Sequence, residues 1–357
     1  MKKICFSFNH LTPSNGVARA AIGIANYLSK KDDIEVTLRP IFQFNSKVKY
    51  LVNDNINIKP LFSFYAKGLS SILGLIPDSL LHDIIFGKNF YDIEVGFQHG
   101  IATKAVVSGI HSEAKHFVWI HGYDEGLSLK KWLQKADKIV CVSQCNMQKL
   151  KCILPNNIDY CYNPIDDYFI LDQGKEDIDT KKTEELLFVT VGRLSKEKGY
   201  SRLIKVTAKL LKEGYHFNVW IIGNGPEYDT LRSLIDELEV NVSIKLLGEQ
   251  INPHKFTAKA DLFICSSFSE GYSTACTEAI ILGIPVITTD VSGAEEIIRD
   301  AECGMLVGRE DADIYMGLKK ILDNKSIILE WKKQLKKTKF NFSYSVRTKK
   351  IDQILEL

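Results

Sequence analysis

What most limits the folds open to this chain is an alternation, met twice over, of short apolar runs with longer segments of helical periodicity. In the first half the apolar runs fall near 4–8, 34–39, 93–97, 117–120, 139–142 and 158–162. In the second they fall near 187–191, 218–222, 242–247, 262–265 and 285–288. Runs this short, rich in Ile, Val and Phe, suit strands covered on both faces. Between the first two, Val17, Ala21, Ile24 and Leu28 make an apolar stripe at helical spacing within 16–30. Further helices are predicted over 199–213, 226–238, 274–283 and 311–323. Strand–helix alternation of this kind predicts an α/β chain with parallel sheets and right-handed crossovers.

A length of 357 residues is more than one ordinary core accommodates. Residues 166–185 break the alternation with a polar, charged stretch, read as a linker into a second domain. The domains are therefore expected at 1–165 and 166–340. Two doubly wound units carry two sets of strand C-terminal loops, so a cleft between them is the expected site. The stretch 61–90 is less regular, and its apolar residues fit either a core helix pair or an amphipathic surface facing a membrane.

A net charge of +2 gives no reason to expect nucleic-acid binding. The eight cysteines include no Cys-x-x-Cys pair and no metal-like His/Cys spacing, so reduced thiols are expected. The apolar run after Met1-Lys2-Lys3 is too short for a signal peptide and reads as a first strand. No stretch of 18 apolar residues occurs, so no membrane span is expected and the chain reads as cytoplasmic.

The chemistry concentrates in Ser266-Ser267-Phe268-Ser269-Glu270-Gly271-Tyr272-Ser273-Thr274-Ala275-Cys276-Thr277-Glu278. An apolar strand precedes it and a helical pattern follows, so unpaired amides and the positive helix end converge on an anion. Taken alone, Glu270 and Glu278 fit equally well a surface turn residue and a complement to the helix dipole. A carboxylate there also suits vicinal sugar hydroxyls, since it accepts from two donors.

This stretch resembles the signature of the retaining glycosyltransferases of family 4, whose fold is GT-B, two Rossmann-like doubly wound domains facing across a cleft. Two glutamates with seven residues between them, Glu270 and Glu278, with Gly271 and then Gly283 and Pro285, fit the pattern without a gap. The similarity extends through Gly192-Arg193-Leu194-Ser195-Lys196-Glu197-Lys198-Gly199, Gly223-Asn224-Gly225, Leu247-Gly248-Glu249 and Gly293-Ala294-Glu295-Glu296.

The resemblance implies that Arg193 and Lys198 hold a donor diphosphate, where two cations and a helix end stabilise the leaving charge without a metal. It implies that Glu278 accepts ribose hydroxyls, that Glu270 contacts the transferred sugar, and that the amides around Gly271, Tyr272, Ser273 and Thr274 meet the distal phosphate. His121, after the strand Phe117-Val118-Trp119-Ile120, matches the family's active-site histidine. Gly16 matches the second of a glycine pair at the first helix, where Asn15 replaces the first. A last helix, 341–357, is implied to cross back onto the first domain.

The expected reaction is retaining transfer from a nucleoside diphosphate sugar, UDP-sugar favoured, to a glycan or lipid-linked acceptor, with no cofactor and no metal. Peripheral contact with the anionic inner membrane face is a further expectation, for which Lys332–Lys339 reads equally as a solvated helix face. No Gly-x-Gly-x-x-Gly follows the first strand, against a dinucleotide oxidoreductase. The Asp-x-Asp pairs at Asp177/Asp179 and Asp311/Asp313 follow no buried strand, unlike a metal clamp. A sugar-nucleotide epimerase of the same fold and a non-catalytic sugar-nucleotide-binding subunit are the alternatives. A phosphorylase-like enzyme lacks its pyridoxal lysine context here.

Overall fold

The computed structural model describes the chain except residues 13–15, 63–67, 88–89, 110–112, 123–129, 155–156 and 179–184. The described residues form two compact units, 1–164 with 347–357, and 165–346. The first unit holds β1 (Lys2–Leu11), β2 (Ile34–Phe44), β3 (Asn57–Ile58), β4 (Ile93–Gly96), β5 (Lys115–Ile120), β6 (Lys138–Cys141) and β7 (Ile158–Tyr160). They lie in the order β3-β2-β1-β4-β5-β6-β7, every pair parallel.

The second unit holds β8 (Leu186–Val191), β9 (Phe217–Ile222), β10 (Ile244–Leu246), β11 (Leu262–Cys265), β12 (Val286–Thr289) and β13 (Met305–Val307). Their order is β10-β9-β8-β11-β12-β13, again parallel. β1 has β2 on one side and β4 on the other, and β8 likewise has β9 and β11. At these two points the chain reverses its direction of growth. In a doubly wound sheet such a reversal is where the loops part to open a ligand crevice.

Burial explains the apolar runs. β4, β6, β11 and β12 are buried along their whole length, because helices cover both faces. In the second unit Phe188, Leu203, Val219, Leu262, Ile287 and Leu318 share one core cluster. Each such side chain contributes about 1.5–3 kcal/mol on burial. All eight cysteines are free thiols, six of them buried.

Residues 347–355 of helix Tyr344–Leu355 belong to the first unit, with Ile351, Ile354 and Leu355 buried. Lys31 Nζ lies 2.7 Å from Asp352, and Lys138 Nζ donates to the Ile354 carbonyl at 2.8 Å. Lys2 Nζ donates to the Glu356 carbonyl at 2.9 Å. Cations around a helix C-terminus satisfy its last carbonyls and oppose its negative end.

Two stretches differ from the sequence reading. Within 166–185, residues Asp167–Gln173 form a helix, not a linker; Asp166 caps it, Oδ1 accepting from Phe169 N at 3.0 Å, and Ile170 is buried. A buried apolar residue and a capping carboxylate outweigh the polar composition around them. In 61–90, helices Leu69–Gly74 and Asp78–Phe86 bury Leu73, Leu81, Ile85 and Phe86 while Ile72, Leu75, Leu80, Ile84 and Phe90 stay exposed. The stretch is thus a core helix pair that also carries a second, solvent-facing apolar stripe. Phe64 and Tyr65 lie outside the described residues. Among the described residues no helix is long and apolar enough to cross a membrane.

Candidate active site

In the second unit, the loops after β8 and β11 leave the same sheet edge, since the two strands pair with Leu262 opposite Phe188. The first loop passes through a 3-10 turn, Lys196–Lys198, to Gly199, which opens helix Tyr200–Lys212. The second runs from Ser266 to Ser273 and opens helix Thr274–Ile281.

Backbone and side chain stitch these loops together. Phe268 N donates to the Glu197 carbonyl at 2.7 Å, and Ser266 Oγ donates to the Lys198 carbonyl at 3.0 Å. Arg202, 4% exposed, donates from Nε to the Ser266 carbonyl and from Nη2 to that of Ser267, both at 2.8 Å. Its Nη1 reaches the Arg309 carbonyl at 2.6 Å, and the guanidinium lies 3.8 Å from the centre of the Phe268 ring. Burial holds its pKa below the usual arginine value, and the carbonyl dipoles stabilise the charge that remains. Ser266 and Ser267 thereby have their backbone fixed before any ligand arrives.

Upon this seam Lys198 Nζ meets Glu270 Oε1 at 2.7 Å, and Ser267 Oγ donates to the same oxygen at 2.6 Å. Burial opposes charge on the lysine, but the Glu270 carboxylate outweighs it and raises its pKa above the ordinary value. A cation and an anion from loops 72 residues apart therefore stand at the strand C-terminal edge.

Ser273 caps the helix that follows, its Oγ accepting from Cys276 N at 3.3 Å. Thr274 is the first helical residue, Tyr272 is buried, and Gly271 lies in the turn between Glu270 and the cap. Glu278, one turn into the helix, places Oε2 3.9 Å from His254 Nδ1. Arg193 is placed differently. Its residue is exposed, in an open pocket of about 500 Å³ with Ser195, Lys196, Glu197, Pro226, Glu227 and Thr230, a lining that includes neither Lys198 nor Glu270.

The remaining two candidates belong to the first unit. Gly16 is the first residue of helix Gly16–Leu28, in the segment following β1; Asn15 lies outside the described residues. His121 follows β5, and its Nε2–H donates to the Phe97 carbonyl at 3.0 Å, since a carbonyl only accepts. Its ring meets that of Phe97 edge to face at 4.9 Å. Burial pushes the imidazole down from 6.5 to about 4. At neutral pH it is an uncharged hydrogen-bonding group, not a cation.

Because the folded pKa is depressed, the unfolded chain binds the proton first as pH falls. Stability is therefore present above pH 6.5 and is lost on descending towards pH 4. The urea midpoint should decline across that window, and His121→Gln should flatten the decline. An unchanged pH profile in that variant would refute the assignment.

Sequence reasoning passes over Arg202 and His254, and it gives Ser267 no role of its own although it lies in the signature stretch. Arg202 sits in an amphipathic helix where an arginine ordinarily faces solvent; only its position one turn after Gly199 marks it. Other charged motifs have structural employment. Asp313 forms a reciprocal capping box with Glu310, and Asp179 lies outside the described residues. Lys332 Nζ bonds Asp261 Oδ1 at 3.0 Å, while Lys333, Lys336 and Lys337 are exposed.

The family model for glycosyl transferases group 1 matches residues 173–339, the region that holds Lys198, Arg202, Glu270 and Glu278. Residues 173–339 are a group 1 glycosyltransferase domain. A similar relative is the N-acetylgalactosamine-N,N'-diacetylbacillosaminyl-diphospho-undecaprenol 4-alpha-N-acetylgalactosaminyltransferase of Campylobacter jejuni, 33% identical over 207 residues, 57% of this chain. The match spans about half the length of that relative, 55%. An uncharacterized glycosyltransferase of Haemophilus influenzae is 24% identical over 92% of the chain and 93% of its own length. Among solved structures, Anabaena HepE in complex with UDP-glucose superposes with a TM-score of 0.76 at 16% identity, covering 100% of both chains. Likeness at that identity speaks for the fold alone: two Rossmann-like units of the GT-B type.

Proposed function

We propose that the protein is a retaining, metal-independent glycosyltransferase. It moves a sugar from a nucleoside diphosphate sugar, UDP-sugar favoured, to a glycan or lipid-linked acceptor in surface polysaccharide synthesis. One observation carries the reading: the Lys198–Glu270–Ser267 cluster beside a helix N-terminus at the strand-order reversal of the second unit.

As the glycosidic bond to the diphosphate breaks, negative charge grows on the departing oxygen. Lys198 and the first amides of helix Thr274–Ile281 supply positive potential for it. Glu270, released by Lys198, turns its acceptor oxygens to sugar hydroxyls, and Glu278 takes the ribose. Arg193 attends the diphosphate from its neighbouring pocket. His121, uncharged, contributes a hydrogen bond to the sugar and no proton. The departing phosphate itself takes the acceptor's proton. Names of the relatives support the substrate class, since the C. jejuni enzyme acts on a diphospho-undecaprenol carrier and HepE was solved with UDP-glucose.

A thermal-shift series with UDP-, GDP- and ADP-sugars tests the donor. UDP-sugars at about 100 times Kd should stabilise by about 2.7 kcal/mol, a rise of several degrees, and the other two should not. Product should form at the same rate with or without added Mg²⁺ or Mn²⁺. Isomerised donor sugar without glycosidic product would establish the epimerase instead, and no shift with any nucleotide would dismiss the proposal.

The protein works at the cytoplasmic face of the membrane as a peripheral enzyme. Supporting this are the exposed apolar side chains Ile72, Leu75, Leu80, Ile84 and Phe90 and the exposed Lys333, Lys336 and Lys337. Co-sedimentation with phosphatidylglycerol vesicles should exceed that with phosphatidylcholine. Replacing Ile72 and Leu75 together by Ser should reduce it about threefold or more. Equal recovery from both vesicle types would dismiss the membrane reading.

A further inference from the structure

At the far end of the first sheet from His121, where the parallel strands begin, three metal-ligating side chains converge. Glu94 is the second residue of β4 and His116 the second of β5, and they are direct partners in the strand register. His82 comes in from helix Asp78–Phe86, which covers that face of the sheet. His82 Nε2 lies 2.8 Å from Glu94 Oε2, and His116 Nε2 lies 3.5 Å from the same oxygen. The three ligand atoms all fall within 4.8 Å of one another.

We propose that His82, Glu94 and His116 form a structural site for Zn²⁺ that pins helix Asp78–Phe86 to the start of β4 and β5. The geometry suits the ion. Tetrahedral zinc with bonds of about 2.0–2.1 Å sets its ligand atoms about 3.4 Å apart. The two separations from Glu94 bracket that figure, and the third, within 4.8 Å, has to close by up to about 1.4 Å to complete the arrangement.

Two further observations point to a ligand. Nε2 of His116 is buried with no well-formed hydrogen bond, lying 3.5 Å from Glu94 Oε2, an arrangement that costs free energy unless something better fills its lone pair or takes its proton. Gly109 borders the same two rings, and a Cβ there would come within 2.8 Å of His82 Nε2 and 2.9 Å of His116 Nε2. The space beside both nitrogens is thus kept clear.

Glu94 is 1% exposed. A carboxylate so buried needs a compensating cation, and a dication meets it and both imidazoles at once, which one shared proton does not. His82 Nδ1 stands 3.6 Å from Asp83 Oδ1, an outer carboxylate of the kind that orients zinc-bound imidazoles. Two histidines and one carboxylate leave the fourth position for water. The spacing 82, 94, 116 matches no linear metal motif, which is why the sequence does not announce the site.

The full chain, stripped with a chelator and dialysed, should take up one Zn²⁺ by calorimetry and gain several degrees in Tm. Co²⁺ in place of zinc should give the visible absorption bands of a four- or five-coordinate ion. His116→Gln and, separately, His82→Gln should weaken zinc binding about 100-fold or more and abolish the cobalt bands. Absence of stoichiometric zinc uptake by the unmodified chain overturns the proposal, whether or not the variants fold. So does full-affinity binding in both variants.

Discussion

Replacing Lys198 by alanine is expected to lower kcat with a UDP-sugar about 100- to 1000-fold, the range seen when one donor to a developing oxyanion is removed. The expectation rests on the 2.7 Å contact between Lys198 and Glu270. With the ammonium gone, Glu270 keeps, among the described residues, the Ser267 hydroxyl, and its charge then faces an incoming diphosphate without the lysine. UDP affinity should fall as well. Lys198→Arg should rescue little, because a planar fork does not occupy the space of a compact ammonium.

Glu270→Ala differs in kind: turnover should be abolished while UDP binding, measured by calorimetry, stays largely intact. Since the two side chains are in contact, the double variant should lose less than the product of the single losses. A Lys198→Ala enzyme retaining kcat within threefold of the parent would remove the cluster from the mechanism.

The second large effect concerns the backbone beneath that cluster. Gly199 adopts φ 68° and ψ 27°, left-handed geometry that costs an L-residue about 1–2 kcal/mol. An added Cβ would also sit 2.2 Å from the Ser266 carbonyl oxygen and 2.8 Å from Arg202 Nε. Relief requires moving the carbonyl that Arg202 and the site turn share, so conformational strain and lost hydrogen bonds combine. Gly199→Ala should therefore destabilise the second unit by about 3 kcal/mol or more. Calorimetry should then show its Tm lowered by about 6–12 °C. A change under 2 °C would mean that the two loops are not coupled as described.

Much of the scaffold could be read before any coordinates. Strands β5, β6 and β11 are buried enough to leave apolar runs at Phe117–Ile120, Ile139–Cys141 and Leu262–Cys265, and helix Asp311–Asp323 is legible to its ends because acidic caps and an apolar stripe delimit it. β3 and β13 were missed: with two and three residues they are too short to impose a period, and they exist only because a neighbouring strand offers an edge. Arg202 was missed for a related reason. Helical periodicity assigns a face, but nothing local says that carbonyls from residues 266 and 267 wait on it.

The identities of Lys198, Glu270, Ser273 and Glu278, and the strand–turn–helix context of each, are properties of local sequence. Local sterics, capping and apolar periodicity act within about a dozen residues, so those features were legible directly. Tertiary structure decided that Lys198 and Ser267 share one oxygen of Glu270 while Arg193 stands in a separate pocket. It also decided that His82 meets Glu94 and His116. The order in which strands add to a sheet settles such meetings, and that order is chosen by the packing of the whole core.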